Sequence, residues 1–381
     1  MRTAWITDTA AFLPNAPVAN DAMEQVLGLV GERPSRARRL VLKSNGIKAR
    51  HYAIDPETRR PTHSNAELTA AAITRLGERV DLRTLDCLVC GTSIPDQLMP
   101  NHALMVQGAL GLPPLEVVAT SGICLSGLTA LNYARYAVAS GDRQRAVATG
   151  SELASPHLLG DRLGGVSEAA LARLERAPEL AFDQEFLRWM LSDGAGACLV
   201  EPEPRPDGLS LRIDWLELFA YAGELPTCMY AGALRNADGS LTGWATLDAE
   251  ERQRQGVMAI KQDVRLLNEA IVPMMIERPL PVLLEKRGLR ADAVDYFLPH
   301  YSSDYFRGPL QAGLERAGLP IPPARWFSNL ATKGNTGAAS IYIMLDELYR
   351  SGRLRAGETI LCFVPESGRF SCGYLHLTVA G

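Results

Sequence analysis

LEVVATSGICLSGLTALNYARYAVASG, residues Leu115–Gly141, is the stretch around which the rest of this chain organises itself. It opens with a short apolar run, LEVVAT, bounded by Pro114 and Gly122, and this run predicts a buried strand. The chain then turns through Ser121–Gly122–Ile123. From Cys124 a helical period follows, in which Leu125, Leu128, Leu131, Ala134, Tyr136 and Val138 keep an apolar face or its flank and Ser140–Gly141 supplies the stop. A cysteine at a strand-to-helix turn sits near unpaired backbone N–H groups at the positive end of the helix dipole. That position is expected to lower the thiol pKa from about 8.5 and make it a nucleophile. The alternative is a small buried cysteine in a tight turn, and the remainder of the chain has to decide.

The bulk properties narrow the function classes. A chain of 381 residues can bury a large core, as one big domain or two fused halves. With 47% hydrophobic and 22% charged residues it has the composition of an ordinary globular protein, and a formal net charge of −4 gives no support for nucleic-acid binding. There is no run of 18 apolar residues, and MRTAWITDTA lacks a basic region followed by an apolar one. No membrane span and no signal peptide are expected, hence a cytoplasmic location. Seven cysteines, an odd number scattered mostly in apolar runs, read as reduced thiols.

Upstream of Leu115, Ala4–Thr7 reads as a strand and Asp21–Val30 as a helix. The run Arg33–Arg50 carries Arg33, Arg36, Arg38, Arg39, Lys43, Lys48 and Arg50 without an acidic residue, either as a solvated face or as an anion-binding one. Ser64-x-x-Glu67 is a capping box opening a helix to about Glu78. Leu85–Cys90 is a strand, on which Cys87 and Cys90 point to opposite faces; without a second pair or a nearby histidine they are no metal or redox site. Asn101–Leu110 is a helix. Downstream, Arg145–Gly150 is a strand, Pro156–Leu187 a charged and partly helical insertion, and Ser192–Val200 and Leu209–Leu218 are strands. The glycines of SDGAGA lack the G-K-[ST] or G-x-G-x-x-G context of a phosphate loop. Ala220–Ala245 reads as loop and Ala249–Ile276 as one long helix.

From Asp295 the pattern starts again. DYFLPHYSS runs from strand into polar turn as DCLVCGTS does, and RWFSNLATKGN leads to Asn335 at the head of a second helix. Cys124 to Ser140 spans 16 residues, as does Asn335 to Ser351, and both stops are followed by strands, Arg145–Gly150 and Thr359–Val364. This is a duplication of architecture with little identity. It predicts an α/β protein of two halves, residues 1–205 and 206–381, each a mixed or parallel sheet covered by helices. In such sheets the carboxyl ends of strands face one crevice, and Cys124, His300 and Asn335 all hold that kind of position. Together they supply a nucleophile and two neutral hydrogen-bond donors.

On these residues the chain resembles the thiolase superfamily, and within it the β-ketoacyl-acyl-carrier-protein synthase III group. The matching stretches run in order: Ser44–Ile54, the Cys124 turn, Ser192–Ala197, Pro299–Ser303, Lys333–Ser340 and Glu366–Gly373. The resemblance implies a thiolase-like fold of two βαβαβ-type halves in α-β-α-β-α layers. It also implies a ketosynthase that loads an acyl group on Cys124 and condenses it with a malonyl- or β-ketoacyl-type thioester. Cys124 is then the acylated nucleophile, with the Cys124 and Gly368 N–H groups as oxyanion hole. His300 and Asn335 serve the condensation. Decarboxylation leaves an enolate whose oxygen needs two donors, which neutral His300 and the Asn335 amide supply and a carboxylate would not.

The resemblance implies no metal and no cofactor, with acyl-coenzyme A or acyl-carrier-protein thioesters as substrates. It further implies a homodimer whose loop Pro95–Pro100 brings Met99 to the partner subunit's acyl pocket, and a substrate contact at Ser303. The family's coenzyme A clamp is not evident: Ser44–Asn45 replaces the usual Arg–Thr, and Tyr301–Ser302–Ser303 replaces Gln-Ala-Asn. In this the chain is similar to specialised relatives acting on carrier-bound chains, including those that make dialkylresorcinol or cyclohexanedione precursors. The acyl carrier protein is the expected partner, steered by Arg36, Arg38 and Arg39. A non-condensing acyltransferase or thioester hydrolase on the same fold is the alternative; it would need Cys124 and an oxyanion hole but not Asn335.

Overall fold

The computed structural model describes residues 2–30, 34–163 and 185–381. Nine of its strands form one mixed sheet: β1 (Trp5–Phe12), β2 (Cys87–Thr92), β3 (Glu116–Ser121), β4 (Ala146–Glu152), β5 (Gly194–Glu201), β6 (Ser210–Ala220), β7 (Tyr296–Pro299), β8 (Thr359–Glu366) and β9 (Ser371–Ala380). Their lateral order is β7-β8-β9-β6-β1-β5-β4-β2-β3. Read outward from the β6–β1 contact, the same pattern occurs twice. On one side β1 pairs antiparallel with β5, and β5 antiparallel with β4, while β4, β2 and β3 run parallel. On the other side β6 pairs antiparallel with β9, and β9 antiparallel with β8, while β8 and β7 run parallel. Trp326 takes the place equivalent to β3 through a parallel bridge to Phe297. The halves join at Trp5↔Arg212 and Ile6↔Leu211.

The helices that matter here are α1 (Arg36–Asn45), α2 (Asn65–Gly77), α3 (His102–Leu110), α4 (Ser126–Ser140), α5 (Val264–Val272), α6 (Pro279–Arg287), α7 (Arg307–Arg316) and α8 (Ser340–Arg350). Strand alternation sorts side chains into layers. Leu88, Cys90 and Val147 face an outer cluster with Leu68, Ile73 and Val106 of α2 and α3. Cys87, Val89, Cys362 and Val364 face a middle cluster with α4 and α8. Leu361 and Phe363 face a third cluster with α5, α6 and α7. The result is the expected thiolase-like α-β-α-β-α stack, with α4 and α8 packed between the two half-sheets. Cys87 and Cys90 do lie on opposite faces of β2.

The Ser64–Glu67 capping box is present in full and starts α2. Other expectations need correction. β3 is half-exposed rather than buried, because it is the edge of the sheet. The helix after Cys124 begins at Ser126, and the one after Asn335 at Ser340, behind a short 3-10 turn. The single helix expected over Ala249–Ile276 is broken. Ala249–Arg254 ends near Gly256, which has φ +54°, and α5 restarts where the Asp263 side chain accepts from Leu266 N–H at 3.0 Å. Ala220–Ala245 is not all loop either, since Ala233–Arg235 and Leu241–Gly243 pair as a hairpin. Arg33 and most of the Pro156–Leu187 insertion fall outside the described residues. Among the described residues no helix is long and apolar enough to cross a membrane.

Candidate active site

The turn between β3 and α4 carries Cys124 two residues ahead of the helix. Its half-buried side chain and His300 share a narrow cavity, walled largely by Leu267, Ile271, Val272, Ile276, Phe306 and Leu310. His300 directly follows β7, and its N–H donates to the Phe363 carbonyl at 2.8 Å, which fixes the backbone beside the neighbouring strand β8. Burial without a charged partner pushes the imidazole down to about 4. His300 is therefore a neutral donor or acceptor at pH 7, as an enolate-stabilising role requires.

Asn335 is buried. Its N–H donates to Met190 O at 2.9 Å, its carbonyl accepts from Ser192 N–H at 2.8 Å, and its side-chain oxygen accepts from Gly337 N–H at 3.0 Å. With Oδ1 committed to the turn, Nδ2 is the end that can serve another group. Asn335 is not among the residues lining the cavity of Cys124 and His300.

The thiol itself departs from expectation. Burial, then the carboxylates of Glu152 and Glu366, push Cys124 well above the ordinary thiol range. The helix-terminus argument misses this because it counts the local dipole and omits desolvation and two acids from distant parts of the chain. Neither acid was singled out in the sequence. Glu152 ends β4 and Glu366 ends β8, so the duplication alone would have paired them.

The loop after β8 packs directly on the Cys124 turn: a Cβ added to Gly368 would lie 2.6 Å from Ile123 Cδ1. The Gly368 carbonyl accepts from Cys228 N–H at 2.8 Å and Met229 N–H at 3.2 Å, and Gln262 Nε2 donates to Ser367 Oγ at 2.9 Å. The region read as loop, Ala220–Ala245, thus braces Gly368 from behind. Among the described residues no backbone carbonyl takes the N–H of Cys124 or of Gly368.

The other expected sites are placed as follows. Ser303 is buried, and its hydroxyl accepts from Tyr305 N–H as the cap of the Asp304–Phe306 turn; the neighbouring Ser302 lines the cavity instead. Met99 is 85% exposed in the loop before α3. The basic run is not one continuous face. Arg38 pairs with Glu24, and Arg50 is fully buried against Asn20 and Trp189. Arg39 is exposed, whereas the side chain of Arg36 lies outside the described residues. In SDGAGA, Asp193 is a structural clip that accepts from the N–H groups of Ala53, Ala154 and Ser155 at 2.7 to 2.9 Å.

Known proteins share this fold. The family described as 3-oxoacyl-[acyl-carrier-protein] synthase III C terminal matches residues 284–373. The chain is 24% identical over 361 residues to β-ketoacyl-[acyl-carrier-protein] synthase III of Methylococcus capsulatus, covering 94% of each. It is 26% identical over 323 residues to the enzyme of the same name from a Bradyrhizobium species, covering 84% of each. Among solved structures, a tetronic acid condensing enzyme superposes with TM-score 0.75 at 20% identity, over 99% of this chain and 100% of the other. The synthase III of Pseudomonas aeruginosa superposes with TM-score 0.72 at 20% identity over the whole of both chains. The chain therefore shares the fold of these condensing enzymes. In sequence it is similar to β-ketoacyl-[acyl-carrier-protein] synthase III over nearly its whole length.

Proposed function

We propose that this condensing enzyme of fatty-acid or polyketide biosynthesis loads an acyl group on Cys124, and that His300 and Asn335 then stabilise the enolate of a malonyl- or β-ketoacyl-type carrier-protein thioester that attacks it. The observation that carries the reading is the shared apolar cavity of Cys124 and neutral His300, with the Gly368 loop packed on the nucleophile turn. Thioester attack by the Cys124 sulfur puts negative charge on the carbonyl oxygen. The Cys124 and Gly368 N–H groups would bind it, each contributing about 3–4 kcal/mol by analogy with other oxyanion holes. The raised thiol pKa means that the sulfur becomes a thiolate only as its proton leaves, and His300 in the same cavity is the nearest base by type.

Donor and assembly belong to the same proposal. α1 packs against the Asp304–Phe306 turn, whose Phe306 walls the cavity, so exposed Arg39 and its helix stand near the site rather than on a remote face. This supports steering of an acidic carrier protein by Arg36, Arg38 and Arg39, with carrier-bound acyl groups preferred over coenzyme A. Exposed Leu98, Met99, Leu104, Met105, Tyr133 and Tyr136 flank the edge strand β3, which supports a homodimer formed on that edge with Met99 directed to the partner subunit's pocket. A cytoplasmic location completes the reading, with no resident metal or cofactor.

Intact-protein mass spectrometry after incubation with a panel of acyl-carrier-protein thioesters tests it. A single adduct is expected, lost in Cys124→Ala and kept in Cys87→Ala and Cys362→Ala. An adduct that persists in Cys124→Ala would sink the assignment.

A further inference from the structure

We propose that Glu366 and Glu152 are a duplication-related pair of positioning residues, each carboxylate fastening the functional turn contributed by the opposite half of the fold. Glu366 is the last residue of β8, in the second half. Its Oε2 accepts from Ile123 N–H at 3.1 Å, one residue before Cys124 in the first half, and it also bonds Leu125 N–H and Ser371. Glu152 is the last residue of β4, in the first half. Its Oε2 accepts from Ala338 N–H at 3.2 Å, three residues after Asn335 in the second half, and from Ser93 Oγ at 2.6 Å. Because β4 and β8 hold equivalent places in the two strand orders, the arrangement is reciprocal.

Both turns are shaped around these carboxylates. A Cβ at Gly122 would lie 3.2 Å from Glu366 Oε2. At Gly337, with φ +49°, it would lie 1.9 Å from Glu152 Oε2, so a side chain there would displace the carboxylate. A carboxylate that takes up the unpaired N–H groups ahead of a helix replaces a side-chain cap, and both α4 and α8 lack one. The same placement sets negative charge near the thiol. Cys124 is faced by Glu152 from β4, Glu366 from β8 and His300 from the end of β7. Fastening and charge therefore act in opposite senses on the nucleophile. Glu366 holds the Cys124 turn in place, and both acids oppose ionisation of the thiol.

Substitution separates the two effects, since glutamine keeps an acceptor oxygen and drops the charge, whereas alanine drops both. The inference rests on Cys124 as the acylated residue and Asn335 as a condensation residue, but its first test needs no acyl substrate. Iodoacetamide alkylation of Cys124 is followed by peptide mass spectrometry from pH 6 to 10 in the wild type, Glu366→Gln and Glu152→Gln. Both variants should alkylate about three- to tenfold faster below the thiol pKa, Glu152→Gln only above about pH 7 where the Glu152 carboxyl is ionised, with the profile displaced to lower pH. The range follows because the thiolate fraction rises tenfold per pKa unit while nucleophilicity falls. Acyl loading from a carrier-protein thioester should then drop at least tenfold in Glu366→Ala and recover in Glu366→Gln. Glutamine profiles that superimpose on the wild type overturn the proposal, as does wild-type loading by Glu366→Ala. If the alanine variant does not fold, the glutamine profiles decide alone. A wild type that takes up no acyl group would defeat the proposed function, yet leave the alkylation comparison standing.

Discussion

Gly150 on β4 and Ala338 just before α8 meet so closely that a Cβ at position 150 would stand 2.2 Å from the Ala338 carbonyl oxygen. Gly127 on α4 makes the same approach, at 2.4 Å, and its carbonyl accepts from the Tyr342 hydroxyl at 2.7 Å. The central layer is thereby pinned at backbone distance, and the Asn335 turn rests on the first half's sheet. Gly150→Ala would push backbone against backbone. It should cost on the order of 1–3 kcal/mol, read by urea denaturation, and slow condensation more than loading. Unchanged stability would mean that this contact is loose.

Asn335→Ala should still load an acyl group on Cys124 but fail to condense, since the enolate loses a donor. Loading by mass spectrometry and product formation by chromatography report the two steps separately. Near-normal product would favour the acyltransferase alternative.

His300 should stay neutral across the working range, because burial holds it near 4. Condensation is therefore expected to show no inflection at pH 6.5 and to fall only as pH approaches 4. The stability term has the same sign: with a depressed folded pKa, the unfolded chain takes up the proton first, so stability is lost as pH falls from 6.5 toward 4. A rate inflection near pH 6.5 that disappears in His300→Ala would contradict this.

Glu152 carries the opposite sign. Burial raises it to about 7 from 4.5, so the folded state holds its proton longer and stability is lost as pH rises from 4.5 to 7. Glu152→Gln should therefore gain on the wild type by up to about 3 kcal/mol at pH 7.5 and by little at pH 4.5, as read from denaturation midpoints. An equal difference at both pH values would show that the carboxyl titrates normally.

If the cavity holds the acyl chain, as proposed, its wall limits the chain's length. Ile271 is partly exposed on α5 and faces the cavity, so Ile271→Trp should reduce loading of long acyl chains at least tenfold while sparing short ones. Equal loss for all lengths would place Ile271 outside the acyl path.

Periodicity, caps and spacing in the chain determined the elements that rest on local physics. The Ser64–Glu67 box starts α2, alternation sorts Cys87 and Cys90 to opposite faces, and equal spacing from Cys124 and Asn335 to their stops marks two copies of one unit. The order of motifs likewise pointed to Cys124 and His300 lining one cavity, because strand ends in such sheets open on one crevice. Tertiary structure alone decided the electrostatics. The helix terminus near Cys124 argues for an acidic thiol, but desolvation and two carboxylates, one of them 242 positions along the chain at Glu366, reverse that sense. It also decided that the basic run is divided, with Arg50 enclosed and Arg38 paired to Glu24, since charge along a sequence does not say which side of a helix is covered. Local pattern fixes what a segment becomes, whereas the energy of a buried charge is set by whatever the fold brings beside it.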